Sequence, residues 1–259
     1  MFHAKLNDGS ILKRLIDSLK DLVQEVNLDV QTSGLTIQAM DSSHIALVSL
    51  KLLADGFEEY RCDKTMALGI AIQNIAKILK ICEAGDSVTL DCDEKEHEKL
   101  KITFENTKNK RSSEFDLALI ALDNDQLGIP EKQYTSQVEL SSQVLTKICK
   151  DLSSLSESVT IHATKSFVKF NVAGDSVSGG FKLEDCDSSD LSERCVIKNE
   201  TDINLTFALK YLNIFTKAGS LSPTVILHLS TQFPLKLEFN IADLGSLKFY
   251  LAPKMAEDE

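Results

Sequence analysis

Nine basic side chains recur at helical spacing in four short segments of this chain, and phosphate binding is the chemistry that suits them. Lysine carries a compact positive charge on a flexible stem, so it pairs with phosphate oxygens without demanding a fixed geometry. Contacts of this kind position a nucleic-acid backbone but read no sequence. The nine residues are Lys13, Arg14, Lys20, Lys77, Lys80, Lys147, Lys150, Lys210 and Lys217.

The charge of these four segments is opposite in sign to that of the chain. They contain three acids, Asp17, Asp21 and Asp151, against nine basic residues, a net charge of +6. Since the formal net charge of the whole chain is −11, the remaining residues sum to −17. Ordinary solvated helix faces are the alternative, but in an acidic protein such faces should carry mixed or acidic charge. Four faces biased the same way favour one polyanion-binding surface.

The rest of the composition narrows the kind of contact. No arginine or asparagine cluster presents a base-reading helix, and no aromatic residues interleave with the basic ones. Base reading and stacking on single strands are therefore not expected. A net charge of −11 opposes indiscriminate binding to nucleic acid or to anionic membranes. Since no apolar run approaches the roughly 18 residues of a membrane span, we expect a soluble, intracellular protein with no membrane partner.

Catalytic and metal-binding patterns are missing from the sequence. It contains no P-loop, GxGxxG or GxSxG motif, and its five histidines fall in unrelated contexts. The charged run Cys92–Glu98 lacks a second cluster to complete four zinc ligands and is typical of a hairpin tip. The six cysteines form no CxxC pair, so we expect reduced thiols. The sequence predicts no enzyme activity, no cofactor and no metal site.

A weak internal repeat predicts the elements that position the basic residues. "SILKRLIDSL" (Ser10–Leu19) aligns with "QVLTKICKDL" (Gln143–Leu152), and "IAIQNIAKILK" (Ile70–Lys80) aligns with "FALKYLNIFTK" (Phe207–Lys217). In each segment apolar residues recur every three to four positions, which places the basic residues on the opposite helix face. Alternating strand patterns fill the rest of each copy at offsets between 133 and 137 residues.

The predicted fold class is therefore α+β, with two similar domains of antiparallel sheets and four helices on one face. Between the copies, a polar stretch containing Gly128 and Pro130 is typical of a connector. We expect an N-terminal domain at residues 1–119, a connecting loop at 120–134 and a C-terminal domain at 135–259.

Several longer stretches carry a resemblance to a known family. They are "GSILKRLIDSLKDL", "QAMDSSHIALV", "EYRCD", "KILK", "QLGIP", "INLTFALKYL" and "LKFYLAPK", and they span the whole chain. Together they resemble the proliferating cell nuclear antigen family, the eukaryotic DNA sliding clamps. The resemblance implies a DNA clamp fold in which three subunits close head to tail into a ring around DNA, with helices lining the hole.

The resemblance also implies a pocket beneath the connector for partner peptides. In the family it takes a short motif ending in aromatic residues, and a small apolar pocket with tyrosine and histidine suits a helical turn of peptide. Alternatively, some of these residues, Leu47 among them, only pack the connector and core. Carried over, the pocket comprises Met40, His44, Ile45, Leu47, Leu127, Ile129, Pro130, Tyr134, Pro234, Ala252, Pro253 and Lys254.

Subunit contact in the family pairs an edge strand of one copy with an edge strand of the next. Here those strands would be residues 112–117 and 177–183, and unequal edges meeting head to tail suit a closed ring. Many members carry tyrosine at the position of Phe115. Phenylalanine preserves the packing of that ring but lacks the tyrosine hydroxyl. Lys165 in "HATKSF" matches the lysine modified by ubiquitin or its relatives. The implied contact residues are Phe115, Leu152, Leu155, Val177, Gly179, Gly180 and Phe181.

The resemblance, with which the basic helices agree, implies a homotrimeric sliding clamp on duplex DNA that serves as a processivity factor in the nucleus. Its implied partners are DNA polymerases, an ATP-driven clamp loader, flap endonuclease, DNA ligase and other proteins with a clamp-binding motif. The implied processes are replication, translesion synthesis, mismatch repair and other DNA repair. Two alternatives stay open: a protein-interaction scaffold that never touches DNA, and a hetero-oligomeric checkpoint-type clamp subunit.

Overall fold

A computed structural model describes residues 1–93, 98–123, 134–174 and 177–254. The tip of the hairpin predicted within Cys92–Glu98 and most of the predicted connector lie outside the described residues. Three predicted pocket residues, Leu127, Ile129 and Pro130, lie outside them as well.

Two compact units make up the chain. Each unit takes its residues from three stretches of sequence, so neither is a simple half of the chain. Unit 1 comprises the described residues within Met1–Ser42, Val48–Gly128 and Ile241–Leu247, and unit 2 those within Ser43–Leu47, Ile129–Asn240 and Lys248–Glu259.

The first half of the chain alternates short strands with two helices. Its described strands follow the orders β5-β1-β7-β8-β9 and β6-β2-β3-β4, and pairs such as β1–β7 and β8–β9 are antiparallel. The elements are β1 Phe2–Leu6, α1 Gly9–Leu19, β2 Glu25–Gln31, β3 Gly34–Met40, β4 Ala46–Leu53, β5 Glu59–Cys62, β6 Met66–Ala71, α2 Ile72–Leu79, β7 Ser87–Cys92, β8 Lys99–Asn106 and β9 Arg111–Ala118.

The second half repeats this arrangement. Its described strands follow the orders β14-β10-β16-β17-β18 and β15-β11-β12-β13, which are the orders of the first half with nine added to each strand number. The predicted duplication and α+β fold class are therefore confirmed. The elements are β10 Ser136–Ser141, α3 Ser142–Ser153, β11 Ser158–Ala163, β12 Phe167–Ala173, β13 Ser178–Glu184, β14 Cys195–Asn199, β15 Ile203–Ala208, α4 Leu209–Phe215, β16 Thr224–Leu229, β17 Leu235–Ile241 and β18 Gly245–Leu251.

The same backbone hydrogen bonds recur in both copies at the predicted offsets. Gly9 N, at the start of α1, donates to Asp86 O at 2.9 Å. Ser142 N, at the start of α3, donates to Pro223 O at 2.9 Å. The two donors are 133 residues apart and the two acceptors 137, because the second copy has a slightly longer stretch between donor and acceptor than the first.

The starts of the second helices show the same correspondence. Ile72 N donates to Gln24 O at 2.8 Å, and Leu209 N donates to Glu157 O at 2.9 Å. Neither α2 nor α4 has a side-chain cap, since each follows directly from a strand. In both cases a backbone carbonyl that follows the preceding helix accepts a hydrogen bond from one of the N–H groups that the start of a helix leaves unpaired.

The apolar stripe of each helix is buried, as the periodicity predicts. α2 packs against β6 and β9, and α3 packs against β10 and β16. α1 and α3 cover their predicted segments, whereas α2 and α4 are shorter than theirs. Lys20 and Lys80 occupy C-cap positions, and Lys217 lies in a 3-10 turn, Thr216–Ser220. No helix among the described residues combines the length and apolar character needed to span a bilayer.

Candidate nucleic-acid interface and partner surfaces

The two helices of unit 1 lie side by side and antiparallel. Lys13 Nζ on α1 donates to the carbonyl oxygens of Lys80 and Cys82, beyond the end of α2, at 3.5 and 3.2 Å. At the opposite ends, Gln73 Nε2 donates to Lys20 O at 3.1 Å. The start of each helix therefore lies beside the end of the other.

Some of these lysines are exposed without a carboxylate partner. Within the described part of the chain they are Lys77, Lys80, Lys147 and Lys150. Lys210 is exposed too, with its ammonium 5.7 Å from the centroid of the Tyr211 ring. A lysine without an internal ion pair keeps its full charge for an incoming phosphate. These five residues are the strongest phosphate-binding candidates.

Two basic residues of the α1 segment, Arg14 and Lys20, are already engaged by groups of the same segment. Lys20 Nζ lies 2.6 Å from Asp17 Oδ1, and this hydrogen bond raises the pKa of the Lys20 ammonium. Arg14 Nε donates to Ser10 O at 3.2 Å. Such surface pairs add little stability, but the neighbouring carboxylate compensates part of the cation's charge. We therefore expect α1 to attract a polyanion less strongly than α2 does.

Lys13 has a further structural role. The carbonyl groups of Lys80, the C-cap of α2, and of Cys82 just beyond it lie where the backbone leaves the helix. A lysine ammonium both donates hydrogen bonds to them and interacts favourably with the negative end of the helix dipole. Lys13 serves α2 in this way from the neighbouring helix. The structure adds this positioning role to the phosphate contact that the sequence predicts.

We expect Lys13→Met to lower the free energy of unfolding by about 1–2 kcal/mol, because two carbonyl groups lose a charged donor. Urea unfolding followed by circular dichroism measures the change. Lys80→Met is the control: it removes an exposed, unpaired charge beside the same carbonyls and should cost less than about 0.5 kcal/mol. Equal losses in the two variants would contradict the capping role.

Unit 2 repeats the helix pair. Thr146 Oγ1 on α3 donates to Ser142 O at 2.7 Å and lies 3.4 Å from Thr216 O. The start of α3 therefore lies beside the end of α4, so these helices are also antiparallel neighbours. Lys217, just beyond α4, is exposed. Each copy of the repeat thus presents its own basic helix pair.

Tyr134 is the centre of the aromatic cluster among the described pocket residues of unit 2. Its hydroxyl donates to Pro234 O at 3.1 Å. Its ring lies 5.5 Å from the His228 ring and 6.0 Å from the Phe233 ring, between centroids. The ammonium of Lys236 lies 5.2 Å from the Tyr134 ring centroid. Burial raises the pKa of the Tyr134 hydroxyl to about 12, so it remains a donor at neutral pH.

A partly buried carboxylate supports this cluster. Glu238 lies 3.2 Å from both His228 Nε2 and Lys236 Nζ, and 3.5 Å from Lys248 Nζ. The contact with His228 is the largest influence that lowers the pKa of Glu238 to about 2, against the effect of burial. Burial lowers the pKa of His228, so its ring is neutral at pH 7. An ionised Glu238 thus holds two neighbours of the Tyr134 ring, His228 and Lys236, in place.

The stretches "HIAL" and "LAPK", far apart in sequence, meet in unit 2. Ala252 N donates to Ile45 O at 3.2 Å. His44 has a φ of 56°, a left-handed conformation that histidine adopts more readily than branched residues do. The turn leaves Ile45 43% exposed. The other described pocket residues are half-buried (Met40 in unit 1; Leu47 and Pro253 in unit 2) or exposed (Pro234 and Lys254).

The two strands predicted to form the subunit contact are edge strands. Among the described residues, β9 pairs only with β8 and β13 only with β12, so each leaves backbone N–H and C=O groups available. Phe181 on β13 is 37% exposed and the nearby Val177 is 50% exposed. Leu155 is 46% exposed, whereas Leu152 is only 2% exposed. Leu152 is therefore a core residue and offers no surface of its own to another chain.

Two family models match the chain, and together they cover residues 1–254. The model for proliferating cell nuclear antigen, N-terminal domain, matches residues 1–127. The model for proliferating cell nuclear antigen, C-terminal domain, matches residues 128–254. The chain belongs to the proliferating cell nuclear antigen family. It is a DNA sliding clamp built from non-catalytic scaffold domains, with DNA and replication proteins as its partners in general.

The lysine predicted to be a modification site lies in a tight turn. Lys165 is exposed between β11 and β12. Thr164 Oγ1 accepts hydrogen bonds from the backbone N–H groups of Ser166 and Phe167 at 3.3 and 3.2 Å. The turn is thus held by Thr164, and the exposed Lys165 side chain makes no hydrogen bond or ion pair with the part of the chain that the structure describes.

Two aromatic residues near Tyr134, Phe233 and Tyr250, were not among the pocket residues predicted from the sequence. Phe233 contacts the Tyr134 ring, and Tyr250 on β18 is close enough for its charge to influence the pKa of Tyr134. Each lies within two residues of a predicted pocket residue, Pro234 or Ala252. That adjacency was the available signal, but an aromatic residue in a strand pattern more commonly indicates core packing.

Proposed function

We propose that three copies of this chain close head to tail into a homotrimeric ring around duplex DNA. The observation that carries the proposal is the repeated pair of antiparallel helices, on a chain of net charge −11. Each pair has exposed lysines that meet no carboxylate among the residues the structure describes. The helices carry a positive net charge and the rest of the chain a negative one, so phosphates are attracted to the helices and repelled by the rest of the surface. The exposed edge strands β9 and β13 supply unequal surfaces for a closing head-to-tail contact.

In this proposal the ring tethers replication and repair proteins to DNA. Lysine–phosphate contacts carry no sequence information, so the ring can slide while remaining bound. Tethering raises a partner's effective concentration at the template, which increases the processivity of a replicative polymerase without chemistry in the clamp. The proposed partners are DNA polymerases, a clamp loader, flap endonuclease and DNA ligase, acting in the nucleus in replication, translesion synthesis and mismatch repair.

The finer assignments are proposals too. We propose the domain boundaries 1–119, 120–134 and 135–259. The nine basic helix residues are proposed to face DNA, the pocket residues around Tyr134 and Ile45 to bind partner peptides, and Lys165 to accept modification. The residues of β9 and β13 are proposed to form the subunit contact.

The ring is tested by native mass and by retention on closed DNA. Light scattering should give three times the 28.6 kDa chain mass. After loading, the protein should remain on nicked circular DNA and leave when a restriction enzyme linearises it. A single-chain mass from the pure protein would instead favour a subunit of a hetero-oligomeric clamp. A three-chain species that is never retained on circles would favour a scaffold that does not touch DNA.

Ile45→Arg should weaken binding of a peptide that ends in two aromatic residues by at least about tenfold. A charged side chain would replace an apolar contact beside the pocket and would have to be desolvated on binding. Fluorescence polarisation of a labelled peptide measures the dissociation constant. The matched control is Ile81→Arg, since Ile81 is 46% exposed in unit 1. Loss of binding in both variants, or in neither, would contradict the assignment.

A further inference from the structure

Two cysteines of unit 2 lie directly opposite each other in an isolated antiparallel bridge. Cys186 N donates to Cys195 O at 2.7 Å, and Cys195 N donates to Cys186 O at 2.9 Å. Both side chains are free thiols. Although nine positions separate them in sequence, the backbone pairing makes them cross-strand neighbours.

Geometry of this kind is compatible with a disulfide. Residues that exchange both backbone hydrogen bonds have Cα atoms about 5.5 Å apart, which lies within the usual range for disulfide-bonded cysteines. Opposed residues of an antiparallel pair also direct their Cβ atoms to the same face. Their Cβ atoms lie roughly 1 Å further apart than a relaxed disulfide prefers, so the bond would be readily reduced.

The surrounding contacts hold the two cysteines in this register. Ile197 N donates to Asp185 Oδ1 at 2.8 Å, which ties β14 to the residue before Cys186. Arg194, the residue before Cys195, donates through Nε to Glu139 Oε1 at 3.0 Å and also pairs with Asp187. The backbone on either side of the two cysteines is therefore anchored in this register.

The two thiols differ in accessibility. Cys186 is exposed, whereas Cys195 is 4% exposed at the start of β14. Burial raises the pKa of the Cys195 thiol to about 11, so it stays protonated at neutral pH. An oxidant in solution therefore meets Cys186 first, and Cys195 is placed to react with the oxidised sulfur.

We propose that Cys186 and Cys195 form a reversible dithiol–disulfide couple that responds to a peroxide. The Cys186 thiolate attacks one peroxide oxygen, the O–O bond breaks, and hydroxide leaves and takes up a proton, which gives a sulfenic acid and water. Cys195 sulfur then attacks the Cys186 sulfur and loses its proton, and the hydroxyl group leaves as a second water. Two electrons pass from the two thiols to the peroxide, and one S–S bond forms.

The bond would fasten the segment leaving β13 to β14. β13 and β14 belong to different strand orders within the second half of the chain, β15-β11-β12-β13 and β14-β10-β16-β17-β18. Closing residues 186–195 into a covalent loop restricts the unfolded chain and opposes local separation of these strands. Oxidation is therefore expected to stabilise the region that follows β13, independently of whether the chain forms a ring.

Peptide mapping of the oxidised full-length protein tests the proposal. The protein is treated with hydrogen peroxide under native conditions, the remaining thiols are alkylated, and the digest is analysed by mass spectrometry. We expect one peptide pair joined through Cys186 and Cys195, lighter by two hydrogens than the reduced pair and released by dithiothreitol. Cys186→Ser, at an exposed position, should abolish this product, while Cys62→Ser should leave it unchanged.

Two outcomes would overturn the proposal. One is oxidation of Cys186 to a sulfinic acid while Cys195 is still alkylated as a free thiol. The other is a cross-link between two chains in place of the internal bond, visible as a doubled mass on a non-reducing gel. Either result would show that Cys195 does not reach the oxidised sulfur of Cys186.

Discussion

Gly179→Trp should convert the proposed ring into single chains of 28.6 kDa while leaving the fold intact. Beyond its two chain neighbours, a Cβ built on Gly179 meets no atom of the described residues within 4 Å, so there is room for a side chain there. Gly179 lies on the exposed edge strand β13, where a partner strand would have to approach to about 4.8 Å. Because side chains stand on the faces of a sheet, an indole at that position should collide with the side chains that a partner chain would pack over this face of β13. Light scattering and retention on circular DNA measure the loss.

The neighbouring glycine supplies an internal contrast. A Cβ on Gly180 would lie 2.0 Å from Phe170 O, so Gly180→Ala should disrupt the β12–β13 pairing and lower the free energy of unfolding by about 2 kcal/mol or more. Lys198→Trp is the matched control for bulk, because Lys198 is exposed on a different edge strand, β14. A three-chain mass for Gly179→Trp, or a single-chain mass for Lys198→Trp, would contradict the proposed contact.

Lys77→Glu should weaken DNA binding without changing the native mass. Lys77 is exposed on α2 and has no carboxylate partner in the described residues, so the substitution replaces an available cation with an anion. Each lost phosphate contact lowers the slope of log affinity against log salt concentration by about 1 per chain. We also expect affinity at low salt to fall by roughly tenfold or more, because the new carboxylate repels phosphate. Fluorescence anisotropy with duplex DNA across a salt series measures both quantities.

Lys51→Glu is the control for this reversal. Lys51 is exposed on β4 of the same unit, and its neighbours Leu50 and Leu52 are buried, so its side chain points away from the core without lying on a helix. The substitution changes the net charge of the chain by the same amount. A similar loss of affinity in both variants would mean that net charge matters and that the helix position does not. Polymerase stimulation should follow the same ranking.

These two predictions test independent surfaces. The Gly179 variant tests the contact between subunits, and the Lys77 variant tests the contact between the helices and DNA. If Lys77→Glu still forms a ring and binds DNA with an unchanged salt slope, the helices are not part of the DNA interface. If the protein instead binds DNA weakly as single chains, the helices remain the proposed DNA-binding surface and the ring is contradicted.

Local sequence patterns were sufficient for the elements and their duplication. The apolar stripes that include Leu15, Leu79 and Leu145 recur at the helical period, and a period of that kind is a property of neighbouring residues alone. The offsets of 133 to 137 residues then required two copies of one arrangement, which the repeated hydrogen bonds of Gly9 and Ser142 confirm. The sign of the helix faces followed from counting charges, since lysines opposite a buried stripe have to face outward.

Tertiary structure alone decided what individual residues contact. Lys13 and Lys77 have the same residue type on adjacent helices, but only Lys13 reaches carbonyl groups at a helix end. Gly179 and Gly180 are consecutive, yet one Cβ position is open and the other is blocked by Phe170 O. The pairing of Cys186 with Cys195 likewise depends on where two segments meet. Such contacts join residues through space, so no periodicity along the chain records them, and only the packed fold specifies them.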